Sequence, residues 1–130
     1  LHEEIDKIIL KKAGSQQVSP LSDDGEFVRR VYLDLVGRIP SRKEAEDFLN
    51  DSSKEKRTKL IDTLLGSADH PKHMADQFHI MLMERLGDTP EWKGWLRTSF
   101  EKNKPWDQMA KELLRADHEN ENAKGASFWM

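Results

Sequence analysis

The stretch Glu26-Phe27-Val28-Arg29-Arg30-Val31-Tyr32-Leu33-Asp34-Leu35-Val36-Gly37-Arg38-Ile39-Pro40 constrains this chain more than any other. Phe27, Val31 and Leu35 recur at every fourth position, Val28 and Tyr32 lie beside them, and Leu33 and Val36 carry the apolar surface most of the way round. A helix apolar on nearly every side belongs inside a domain, so the pattern predicts a central helix over about residues 24–37 with the rest packed around it. Asp23 or Asp24 can cap its first turn by accepting an orphan backbone N–H, and Gly37 and Pro40 end it. One polar row interrupts the apolar surface: Arg30, Asp34 and Arg38, spaced four apart. That spacing predicts a ladder with one carboxylate between two guanidiniums, holding the helix to its neighbours. On this reading Asp34→Ala strands two buried cations and destabilises the domain.

The flanking helices are legible from their punctuation. Leu1, Ile5, Ile8 and Ile9 form a one-sided stripe that Gly14 stops, and residues 15–22, with Pro20, read as a connector. Ser41 followed by Glu44 is a capping-box pattern, opening a helix with Ala45, Phe48 and Leu49 inward. Ser52 and Glu55 repeat that spacing ahead of Leu60, Ile61, Leu64 and Leu65, which Gly66 closes. Asp69-His70-Pro71 reads as a cap with proline in the first turn of a helix reaching about Leu86, with Met74, Phe78, Met81 and Leu82 on its buried side. Thr89-Pro90-Glu91 opens another, presenting Trp92, Trp95, Leu96, Ser99 and Phe100. Lys104-Pro105-Trp106-Asp107 opens the last, presenting Trp106, Met109, Ala110, Leu113 and Leu114.

Residues 117–125 are polar and expected to be loose, whereas Ala126-Ser127-Phe128-Trp129-Met130 turns apolar and should pack back or continue into a further portion. No stretch alternates as a strand would. The expected fold is all-α, a compact array of six or seven short helices forming one domain over residues 1–130. We read that domain as excised from a longer multidomain protein, with 117–130 as a loosely ordered tail or link.

Chemistry is bounded mainly by exclusion. Lys and Arg number 21 against 24 Asp and Glu, interspersed, for a net charge of −3. That is not the concentrated basic face of a nucleic-acid binder. With no cysteine, disulfides, thiol catalysis, thiolate zinc and attached c-type haem are excluded within these residues. No apolar run approaches the roughly 20 residues of a membrane span. Neither a Gly-rich phosphate loop nor a Gly-x-Ser-x-Gly elbow is present.

Two constellations invite a site. His70, His73 and His79 lie near Asp69 and Asp76, and Asp69, His73 and Asp76 can share a helix face. The i, i+4 imidazole pair of helical metal motifs is missing, so capping by Asp69 is the simpler account and no metal or other cofactor is expected. Trp92 and Trp95, three apart, could form a stacking platform for a sugar, although large aromatics filling a core poor in aliphatics explain them more simply.

Arg29-Arg30-Val31-Tyr32-Leu33-Asp34-Leu35-Val36-Gly37-Arg38-Ile39-Pro40 resembles the RRxxLDLxGxxP signature of the planctomycete domain-of-unknown-function family fifteen-forty-nine, the second planctomycete cytochrome-associated domain. Lys59-Leu60-Ile61-Asp62-Thr63-Leu64-Leu65 resembles its LVDxLL helix. Trp95-Leu96-Arg97 and Asn103-Lys104-Pro105-Trp106-Asp107 resemble its WV and NxPYDxF segments, in the expected order. Where many members carry tryptophans and an HWLDxxRY-like run, this chain has Met74-Ala75-Asp76-Gln77-Phe78-His79-Ile80-Met81-Leu82-Met83-Glu84, with Ile80 and Met83 at polar positions. The resemblance implies a helical domain of a secreted or periplasmic bacterial protein, beside c-type cytochrome or carbohydrate-binding-like domains, and brings no established activity. The expected function is therefore a non-catalytic interaction or scaffolding module partnered by domains of its own chain. The alternative is the glycan-binding part of a polysaccharide-processing or cytochrome-linked redox enzyme.

Overall fold

The computed structural model of the chain describes residues 2–14, 20–83, 89–115 and 125–126. These form seven helices: α1 (His2–Ala13), α2 (Asp24–Val36), α3 (Arg42–Asn50), α4 (Lys56–Leu65), α5 (Asp69–Met83), α6 (Pro90–Glu101) and α7 (Trp106–Arg115). No strand occurs among the described residues, so the expected all-α class holds. Leu1, Leu86, Gly87 and Phe128-Trp129-Met130 lie outside the described residues.

The apolar residues gather in two clusters rather than around one rod. The first holds Val28, Val31, Tyr32 and Val36 of α2, Phe48 of α3 and Leu64 of α4. The second holds Ala75 of α5, Trp92, Trp95 and Leu96 of α6, Met109 and Leu113 of α7, and Ala126. α5 joins the halves, packing against α2 and α4 on one side and α6 on the other. α2 is thus central to the first half only. Arg29, Arg30 and Asp34 form its outer face in water, and Phe27, Leu33 and Leu35 are half-buried.

Several helix starts follow the sequence pattern. The Asp23 carboxylate accepts from the Glu26 N–H at 2.8 Å. At α3 both bonds of the capping box form: the Ser41 N–H donates to Glu44 Oε2 at 2.7 Å and the Glu44 N–H to Ser41 Oγ at 3.3 Å. Two starts are corrected. α4 begins after Glu55 with no side-chain cap, so the expected Ser52–Glu55 capping box does not form; between them Ser53 donates its backbone N–H and its hydroxyl to Asp51 in a local turn. At α5 it is Ser67, not Asp69, whose oxygen accepts the His70 N–H at 3.3 Å. Asp69 already lies inside the helix, and its carboxylate is turned toward Arg38.

The inward faces also differ in places. Leu49, Leu65, Met81 and Leu114 are exposed, as is Trp106 at 56%. Phe48 is the buried residue of α3 and Leu64 that of α4, with Leu60 and Ile61 packed half-buried beside them, while the last residue of each expected stripe, Leu49 and Leu65, faces water.

The ladder Arg30–Asp34–Arg38 does not form. Arg30 pairs with Glu26, one turn before it, and Arg38 leaves the helix axis altogether, since it follows Gly37. Asp34 is exposed and makes no ion pair among the described residues. The acid gripped between two bases is Asp24, whose carboxylate meets Lys56 at 2.7 Å and Arg57 at 2.7 Å and so ties the start of α2 to the start of α4. Hydrogen bonds from Lys56 and then Arg57 hold its carboxyl below the usual range. Asp34→Ala is now expected to leave the melting temperature unchanged or raised by about 1–2 °C, through better helix propensity alone. A thermal melt lowered by several degrees would show that Asp34 has a partner after all.

Candidate functional site

The densest polar geometry lies where α2 ends against the start of α5. Gly37 adopts φ 71°, the left-handed conformation, and its N–H donates to the Leu33 carbonyl at 3.2 Å. A side chain there would be strained, and a Cβ would fall 2.3 Å from His73 Nδ1. The glycine of the signature therefore both turns the chain and admits the imidazole of α5. One residue on, Arg38 grips Glu44 with both ends of its guanidinium, Nη1 to Oε2 at 2.9 Å and Nη2 to Oε1 at 2.8 Å. Its Nε reaches Asp69 at 3.4 Å, and its plane lies over the Tyr32 ring at 5.2 Å. Three elements meet on this one side chain. The Arg38 hydrogen bonds, opposed by burial and aided by the Ser41 N–H, hold the Glu44 carboxyl far below the usual carboxylate range. Tyr32 is shifted the other way, upward, by burial and then by the Glu44 charge.

A cleft of about 260 Å³ opens beside this junction, lined by Arg38, Asp69, Lys72, His73 and Asp76 over Val36 and Gly37. The sequence correctly placed Asp69, His73 and Asp76 on a common face. Their neighbours suit them poorly to a cation, because Arg38 holds Asp69 and Lys72 brings a second positive charge. Among the described residues no group of three His, Asp or Glu could hold a metal ion. His70 donates Nδ1–H to the Leu35 carbonyl at 2.8 Å, satisfying one of the orphan acceptors at the end of α2. His79 accepts the Trp92 indole N–H on Nδ1 at 3.0 Å, which places its own proton on Nε2.

Trp92 and Trp95 are brought together, stacked at 5.4 Å with an 18° interplanar angle, yet inside the second core: Trp92 is 0% exposed and Trp95 5%. They cannot offer a face to a sugar. Trp95 Nε1 donates to Glu112 Oε2 at 2.8 Å, and Lys104 Nζ donates to the same oxygen at 2.7 Å. The Lys104–Glu112 pair is nearly enclosed, with side chains 12% and 13% exposed. Asn103, at φ 46°, makes the left-handed turn that delivers Lys104 to this place.

Trp106 is the aromatic residue whose exposure sequence reasoning missed. It meets the half-buried Phe78 edge-on at 5.4 Å, Phe78 meets Phe100 at 4.9 Å, and Met81, one turn beyond Phe78 on α5, is 64% exposed. A second cleft, about 730 Å³, runs from the α4–α5 turn to the end of α6 and is lined by His70, Pro71, Phe100, Glu101 and Asn103. No helix among the described residues is long and apolar enough to cross a membrane. The family model described as PSCyt2, protein of unknown function (DUF1549), matches residues 4–130. Comparison with curated proteins and with solved structures finds no match.

Proposed function

Because the chain belongs to the PSCyt2 family of proteins of unknown function, we propose that it is a helical interaction module without chemistry of its own, docking against other domains of a secreted or periplasmic multidomain protein. One observation carries this reading: an exposed tryptophan, Trp106, meets the half-buried Phe78 edge-on, and Met81, one turn further along α5, is exposed as well. Interface energy concentrates on such aromatic anchors. A second supports it. The signature residues Gly37, Arg38, Lys104 and Trp95 are engaged in joining helices, as are the acids Glu44 and Glu112 that they meet. Carbohydrate-binding-like or c-type cytochrome neighbours are the partners in view.

The test is binding of the chain to the flanking domains of its parent polypeptide, expressed separately and followed by calorimetry. Trp106→Ala is expected to weaken that binding at least about tenfold while leaving the melt in place, since the ring is mostly in water. Wild-type chain that binds none of the flanking domains overturns the reading. The glycan-binding alternative moves from Trp92 and Trp95 to Trp106, the most exposed tryptophan among the described residues, whose partner Phe78 also meets Phe100 of the second cleft. Retention on a neutral or sulfated polysaccharide column, lost in Trp106→Ala, would favour it.

A further inference from the structure

We propose that two copies of this chain pair through α1, antiparallel, with Ile5, Ile8 and Ile9 of each helix forming the shared seam. These three are 47%, 59% and 57% exposed and lie on one face, because residues three and four apart are neighbours on a helix. α1 packs broadly against no other helix among the described residues, so the whole stripe faces outward. Isolated helices of this length are marginal in water, and an amphipathic one is stabilised by covering its apolar face.

The charges select the occupant and its direction. α1 carries Glu3 and Glu4 in its first turn and Lys11 and Lys12 in its last. Glu4 and Lys11 are seven residues apart, two turns, and so flank the isoleucine stripe on the same side. A two-fold axis across the middle of the helix sets Glu4 against Lys11 of the second copy, and by symmetry Lys11 against Glu4 of the second copy. Ile5 then faces Ile8 and Ile9 of the other helix. Antiparallel packing also opposes the two helix dipoles, whereas a parallel pair would gather both acidic ends and both basic ends. In one copy Lys7 holds Glu4 at 3.0 Å, but both side chains are about two-thirds exposed or more, at 69% and 70%. Such a surface pair is weak, so Glu4 exchanges it for an intermolecular partner at little cost. The seam is separate from the Trp106 patch, and either can fail without the other.

Sedimentation equilibrium of the complete chain, from about 10 μM to about 1 mM, tests the proposal. The wild-type mass is expected to rise toward twice the monomer across that range, and Ile8→Ser, a change on the exposed face, to remain monomeric with its helical spectrum intact. Glu4→Lys and Lys11→Glu each put two like-charge pairs across the seam and should weaken self-association about tenfold or more. Mixed together, they should dimerise at least as well as wild type, because one chain then presents only cations and the other only anions at the two flanking positions. A wild-type chain that stays monomeric at the highest concentration overturns the proposal. So does a dimer indifferent to Ile8→Ser, or a mixture that associates no better than its components.

Discussion

Trp92→Ala is expected to cost about 3–5 kcal/mol, the largest loss from any single truncation in the second core. The side chain is fully buried, its ring stacks on Trp95, and its indole N–H is spent on His79 Nδ1. Alanine would leave a cavity between α5 and α6, and an imidazole acceptor with no donor. For a domain of this size the melting temperature should fall by about 10–20 °C. Trp92→Phe separates the two contributions: it keeps most of the apolar area and removes the donor, for about 1–2 kcal/mol. Urea unfolding followed by circular dichroism gives both values. An alanine variant that melts with the wild type would mean that the indole is not part of the second core.

The helices were legible because their ends are written in local chemistry. Ser41 with Glu44, Gly37, Gly66, Pro90 and Pro105 each act within a turn of their own position, and the structure places boundaries at all of them. The buried faces of α2 and α6 were legible too, since Val28, Val31, Tyr32 and Val36, and Trp92, Trp95, Leu96 and Ser99, follow helical spacing. The charge partners were not. Spacing four apart says which groups can meet on an isolated helix, and Arg30 had two such candidates, Glu26 before it and Asp34 after it. The acid-before-base order is the better oriented, and Arg30 takes it. Arg38 and Asp24 find partners six to thirty-three residues away in no local pattern: Glu44 and Asp69 for one, Lys56 and Arg57 for the other. Which of these meet depends on how α2 crosses α3, α4 and α5, and that is set by core packing. Trp106 escaped for a related reason. Its position in the first turn of α7 puts it at the helix face that Met109 and Leu113 use, but its ring rests edge-on against Phe78 of α5 and stays 56% exposed.

Glu112→Ala is expected to cost about 3 kcal/mol, the low end of what opening a buried ion pair costs, because a little of each side chain still reaches water. The loss has two parts: Lys104 keeps its charge in an enclosed place beside the Trp95 ring, and the Trp95 indole N–H has nothing to donate to. Glu112→Gln keeps the shape and can still accept from Trp95, so it should recover part of that loss and leave the uncompensated ammonium as the remainder. Acid distinguishes the charge from the shape. Burial pushes the Glu112 carboxyl up, but the Lys104 ammonium, the Trp95 N–H and Gln108 together outweigh it and leave the group below its ordinary value of 4.5. A carboxyl depressed by folding contributes stability that is complete above the unfolded value and is lost as pH falls through the folded one. The gap between wild type and Glu112→Gln should therefore be widest near neutral pH and close as the pH drops below 4.5. Urea denaturation of both proteins across that range measures it. A gap independent of pH would mean that Glu112 is held for its shape alone, and that Lys104 finds its counter-charge elsewhere.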